Sequence, residues 1–171
     1  MQPRTCRIPR LALAVLLSLT GSGFAQNLDW DTFVDPEYGH RYELPAGMFE
    51  QVESEAGKLV FEEVNAGGAR LMIYSGDVPS GMTLSQFEER VRAAEWIEDI
   101  TYRAGEGSWF VLSGHYRATN ERDQPLIFYT KFMLSRDHDR YSAIEVTYPV
   151  GRKREFDSIV TRLEKGLRPP A

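Results

Sequence analysis

Three histidines, one serine–histidine pair within a strand and a few lysines and carboxylates nearby are the residues of this chain that could do chemistry. His138 lies in Arg136-Asp137-His138-Asp139-Arg140, a run of metal-ligand types. Adjacent loop residues rarely converge on one ion without further ligands, so the run reads as a solvated hairpin tip. His40 follows Gly39 and reads as a strand-start residue with local hydrogen bonds. His115 sits inside an apolar run, two residues after Ser113. Residues 26–171 hold no HExxH, phosphate-binding loop, dinucleotide fingerprint or GxSxG elbow. The expectation is therefore a chain with no catalytic residues, no cofactor and no metal centre.

The elements that would position these residues follow from periodicity. Three strand-like runs, 100–104, 108–118 and 126–135, follow one another, and a fourth, 141–148, ends at Pro149. Their links are short and polar, which forces antiparallel neighbours. Tight pairing sets Ala118 opposite Leu126, Ser113 near Lys131 and His115 near Tyr129. The next hairpin then brings Lys131 near Glu145. In that register Ser113, His115, Tyr129, Lys131 and Glu145 share one face. The face reads as a cross-strand ion pair with hydroxyl hydrogen bonds, or as the polar floor of a ligand pocket. A Ser-Lys or Ser-His hydrolase is the outlying reading, because no oxyanion element accompanies the set. A one-residue slip would change the faces.

Earlier in the chain, residues 26–33 read as a loose lead-in. Residues 35–39, DPEYG, carry turn chemistry. Short strands are expected at 40–44 and 48–52. Runs 59–64 and 69–75 flank Asn65-Ala66-Gly67-Gly68, a hairpin signal. Thr83-Leu84-Ser85-Gln86 fits a capping box, and Leu84, Phe87, Val91, Ala94 and Ile97 recur at helical spacing. A second helix over 154–165 places Phe156, Ile159, Val160 and Leu163 on one side, with Gly166 just past its end. The order is strands, helix, meander, helix. It predicts an α+β domain with an antiparallel sheet of about six strands and two main helices. Strands 109–118 and 126–134 are apolar on both faces, so both faces are covered, with the helices on opposite sides or one helix facing a loop. Trp109 and Trp96 are expected in the core, and Trp30 either folds back or anchors a partner.

Residues 1–25 carry Arg4, Arg7 and Arg10, an apolar run over 11–19, and small residues ending at Ala25. This is the pattern of a cleavable secretory leader, too short to span a bilayer. It predicts residues 26–171 as one secreted, periplasmic or extracellular domain without stable membrane insertion. Cys6, the sole cysteine, falls in the leader, which excludes disulfides and thiol chemistry from residues 26–171. Losing three arginines leaves 17 basic against 25 acidic residues, a net charge of −8. That balance argues against nucleic acid as a partner and suits a protein, a small molecule or a cation.

Several segments together resemble the Mog1/PsbP-like superfamily, particularly its secreted bacterial members. They are residues 34–40 (VDPEYGH), Leu44-Pro45, Thr83-Leu84, Thr101-Tyr102-Arg103, residues 109–114 (WFVLSG), Ile127-Phe128-Tyr129 and Tyr148-Pro149, with a helix ending near Leu167. The resemblance implies an α/β/α sandwich and non-catalytic binding; members include a small-GTPase partner and a photosystem subunit. The expectation is thus a periplasmic binding or interaction module of unknown partner. A small-molecule or metal-cation binder is the alternative, and a minor hydrolase comes third.

Overall fold

The computed structural model describes residues 28–36, 38–52, 58–118 and 125–170. The leader at 1–25 with Cys6, and most of the polar link at 119–125, lie outside the described residues. No helix among the described residues is long and apolar enough to cross a membrane.

Among the described residues nine strands and two α-helices form. Strands β1 (Trp30–Val34) and β2 (Arg41–Pro45) make an antiparallel hairpin. Its turn is the expected one: the Tyr38 amide donates to Asp35 Oδ1 at 2.6 Å, and Gly39 takes a φ of 70°. The other seven strands are β3 (Phe49–Val52), β4 (Lys58–Glu63), β5 (Arg70–Asp77), β6 (Ile97–Glu106), β7 (Trp109–Tyr116), β8 (Leu126–Leu134) and β9 (Arg140–Pro149). They build one antiparallel sheet in the order β3-β4-β5-β9-β8-β7-β6. The strand total exceeds the expected six. Residues 30–34, read as lead-in, gain strand structure from pairing with β2, a long-range reward that composition does not display.

Helix α1 (Leu84–Arg92) opens with the capping box. Thr83 Oγ1 accepts from the Gln86 amide at 3.3 Å, and Gln86 Oε1 accepts from the Thr83 amide at 2.9 Å. The helix stops before residue 97, because Ile97 pairs with Tyr116 and buries as the first residue of β6. Trp96 falls in the intervening turn and is 63% exposed, which corrects its expected place in the core. A single 3₁₀ turn, Val150–Arg152, leads into α2 (Lys153–Gly166).

The helices cover opposite faces. On one, Leu71, Ile73, Ile144 and Val146 pack with Phe156, Ile159 and Leu163 of α2, and the β1–β2 hairpin adds Tyr42 and Leu44. On the other, Phe110, Leu112, Phe128 and Phe132 meet Phe87 of α1. Phe110 and Phe132 stack at 4.7 Å, and Phe87 meets Phe132 edge-on at 5.5 Å. Phe128 is core as expected, whereas Trp109 is only partly buried, with the Lys131 ammonium 5.6 Å from its ring. Trp30 folds back under the Arg162 guanidinium at 4.8 Å.

Edge strand β6 carries register shifts between Ile97 and Asp99 and between Ile100 and Tyr102. The irregularity presses the Asp99 carbonyl against Gly114 of β7, where a Cβ would overlap that oxygen. Gly114 is therefore required by close backbone approach.

Candidate functional site

Strand register decides which of the sequence-derived residues meet. Between β7 and β8, Ser113 faces Tyr129 and His115 faces Ile127. This is two residues from the expected pairing, so Ser113, His115, Tyr129 and Lys131 keep a common face. Between β8 and β9 the shift is a single residue. Lys131 faces Ile144, and Glu145 faces Thr130. An odd shift turns the side chain over, so Glu145 lies on the opposite face and the expected Lys131–Glu145 pair does not form. The cause is the hairpin tip, where Leu134 pairs with Tyr141 and the turn closes with His138 at a φ of 60°. A positive φ at a non-glycine residue carries no clear signal in sequence.

The four residues left on the α2 face are engaged within the fold. Ser113 Oγ donates to the Phe128 carbonyl at 2.7 Å. His115 Nδ1 lies 2.8 Å from Asp99 Oδ1 at the sheet edge. Lys131 Nζ donates to the Glu164 carbonyl at 3.0 Å, near the C-terminal end of α2, where a cation is electrostatically favoured. Burial, then a hydrogen bond with Glu164, raises the Tyr129 phenol far above its ordinary range. The Lys131 and Tyr129 contacts tie α2 to the sheet. His138 lies on an exposed tip whose local order comes from Ser135 donating to Asp139 Oδ1 at 2.7 Å. His40 makes the expected local bond through its backbone, its carbonyl accepting from the Asp35 amide at 2.9 Å, while its ring is 1% exposed with neither nitrogen hydrogen-bonded. Among the described residues no three His, Asp or Glu side chains assemble into a metal-holding group.

Glu145 opens a site of another kind. Helix α1 is short, and its Phe87 meets the sheet at Phe110, Phe132 and Tyr141. The same face continues past it to Met72, Glu145 and Thr147, which floor a cleft of about 850 Å³. The β4–β5 hairpin turn (Ala66, Gly67, Gly68), Leu126, Pro149 and Trp96 also line it. Arg152 braces the hairpin by donating to Glu63 Oε1 at 2.7 Å and to the Gly67 carbonyl at 2.9 Å.

Glu145 is 7% exposed. The Tyr116 hydroxyl donates to its Oε1 at 2.5 Å. Burial pushes the Glu145 carboxyl above its ordinary value, opposed by the Tyr116 hydrogen bond, by the charges of Arg70 and Lys58 and by a hydrogen bond with Tyr74. Burial, with the Glu145 charge, raises the Tyr74 phenol well above 10. A carboxyl group has about four acceptor positions, and the Tyr116 and Tyr74 phenols occupy two of them, so Glu145 retains capacity for a further donor. Apolar walls with a few convergent polar groups are the general make-up of a small-ligand site. Sequence reading named Glu145 but missed Met72, Tyr74, Trp96, Tyr116 and Thr147. Alternation along β5 and β9 puts Met72, Tyr74, Glu145 and Thr147 on one face, and only the absence of a covering helix there makes them a site.

No protein-family model matches the chain, and no curated protein matches it in sequence. Solved structures do match in three dimensions. The cyanobacterial PsbP protein of Synechocystis sp. PCC 6803 superposes with a TM-score of 0.60 at 14% identity, over 88% of this chain and 98% of that one. The Ran-binding protein Mog1p of Saccharomyces cerevisiae gives 0.56 at 11% identity, over 82% and 95%. LpqN of Mycobacterium tuberculosis, involved in cell envelope biogenesis, gives 0.50 at 9% identity, over 86% and 88%. Identities this low carry fold alone. Most of each neighbour is matched, helices cover both faces of one antiparallel sheet, and the chain therefore has the Mog1/PsbP-like fold.

Proposed function

We propose that this protein is a non-catalytic binding module acting outside the cytoplasm, and that it holds a small ligand in the Glu145 cleft. The observation that carries the reading is the Glu145–Tyr116 pair, a nine-tenths buried carboxyl on the floor of a cleft whose rim carries Lys58, Glu62, Glu63 and Arg70 and whose apolar lining includes Met72, Leu126 and Pro149. A polar group kept there without a ligand costs desolvation energy and gains little packing. The leader pattern at 1–25 supports the location. The yeast neighbour's Ran-binding description supports binding in preference to catalysis. So does Ser113, whose hydroxyl donates to the Phe128 carbonyl and not to a histidine or lysine base.

The test is a fragment screen read by amide chemical shifts on isotope-labelled protein. Shifts clustered at Met72, Tyr74, Tyr116, Glu145 and Thr147 are expected. Hits confined to other surfaces would overturn the cleft as the site. A companion assay with 4-nitrophenyl acetate should show no turnover above background. Turnover that disappears in Ser113→Ala would overturn the non-catalytic reading.

A further inference from the structure

The polar groups of the cleft differ in depth and sign. Glu145 is the deep one, almost wholly buried beside Met72 and Thr147. Arg70 is exposed at the start of β5, between Thr147 of β9 and Glu62 of β4, and it lines the same cleft as Glu62 and as Glu63, which is ion-paired to Arg152. Lys58, exposed at the start of β4 opposite Tyr74, adds a second positive charge, and both charges reach Glu145. The lattice of the sheet sets the spacing. Glu145 pairs with Met72, and Arg70 lies two residues further along β5. Two residues at ~3.4 Å and one strand step of ~4.8 Å place the two backbones roughly 8 Å apart.

A purely cationic ligand would satisfy Glu145 and still meet Arg70 and Lys58, with Glu62 opposing them. A purely anionic one would pair with Arg70 and bring a like charge to a buried carboxyl. A ligand with an ammonium at one end and an acid at the other complements both. Resting on the reading of this cleft as the binding site, we propose that its ligand is a small zwitterion. The ammonium points inward to Glu145, the acidic group outward to Arg70, and the apolar body lies on Met72, Leu126 and Trp96. Those three side chains line the cleft, and Trp96 is the exposed one at its rim. An ammonium beside Glu145 replaces lost hydration with a charge-assisted hydrogen bond, the strong kind in a dry site. An acidic group at the exposed Arg70 can be held bidentately.

The experiment is calorimetric titration with two matched triads. The aromatic triad is phenylalanine, 2-phenylethylamine and 3-phenylpropionate. The aliphatic triad is 8-aminooctanoate, octylamine and octanoate. In at least one triad the zwitterion should bind tenfold or more tightly than either singly charged analogue. Glu145→Gln should remove that advantage over the acid, and Arg70→Gln should remove it over the amine, with circular dichroism confirming that both variants are folded. Equal binding of amine and zwitterion, or of acid and zwitterion, in both triads would overturn the zwitterion while leaving the cleft as the binding site. The same division follows if neither triad binds but uncharged fragments fill the cleft. An empty cleft in the fragment screen as well would bring down both readings.

Discussion

The Tyr116 hydroxyl on β7 reaches across β8 to donate to Glu145 Oε1 on β9 at 2.5 Å. The side chains between them are small enough to permit it, with Gly114 and Thr130 on that face and Phe128 stacked on the Tyr116 ring at 4.7 Å. Three adjacent strands are thereby tied at the edge of the cleft by one phenol and one carboxyl. Four consequences can be measured.

Burial raises the Glu145 carboxyl above its ordinary 4.5. A carboxyl with a raised folded-state value favours the fold fully while both states are protonated, below about 4.5, and that contribution is lost as pH rises through the folded value. Glu145→Gln should therefore flatten this part of the stability profile and be the more stable protein at neutral pH. Urea unfolding across the pH range checks it. A variant that is less stable than the parent at pH 7 would mean that the ionised carboxylate is well solvated or paired.

His40 behaves with the opposite sign. Burial lowers its imidazole below 6.5, opposed by the charge of Asp35, and neither ring nitrogen has a hydrogen-bond partner. The neutral ring is thus compatible with the fold, and its contribution is present above 6.5 and lost as pH falls through that value toward the lowered one. His40→Leu should remove an acid-side loss of stability that the parent shows. Thermal melts between neutral and mildly acidic pH provide the comparison. An unchanged acid limb in the variant would place the loss elsewhere.

Phe128 is 1% exposed and stacks on Tyr116, whereas Trp109 is only partly buried and lies against Lys131. Phe128→Ala should cost about 3–5 kcal/mol, the range for a fully buried aromatic. Trp109→Ala should cost less than that, since part of its ring surface already meets water. Denaturant midpoints at constant slope would measure both. Equal losses would contradict the burial difference.

Gly114 sits under the Asp99 carbonyl at the irregularity in β6. Gly114→Ala forces backbone apart at the β6–β7 pairing and should destabilise by roughly 1–3 kcal/mol or more, as overpacking does. Gly107→Ala is a useful contrast, because open space surrounds it but its φ is 60°, so its cost comes from backbone strain alone. Hydrogen exchange should show loosened protection along β6 only in the Gly114 variant.

Local pattern was enough to derive the α+β class, the capping box at Thr83, a helix over 154–165 and the covering of both sheet faces. Each follows from residues close in sequence: a hydroxyl three residues from a glutamine, an apolar stripe of period 3.6, and strands apolar on alternate residues as well as between them. Phe156, Ile159 and Leu163 are buried because that stripe has one side only. The candidate site was not legible in the same way. Its composition depends on register, and register depends on a tip in which His138 adopts a left-handed conformation that its residue type does not announce. One residue of slip there moved Glu145 from beside Lys131 to beside Tyr116. Trp96 left the core for a similar reason, since Ile97 gains more by pairing with Tyr116 than by extending α1. The early end of that helix leaves no helix over Met72, Glu145 and Thr147, and whether a helix reaches across a sheet is settled by packing between distant segments, which no local pattern encodes.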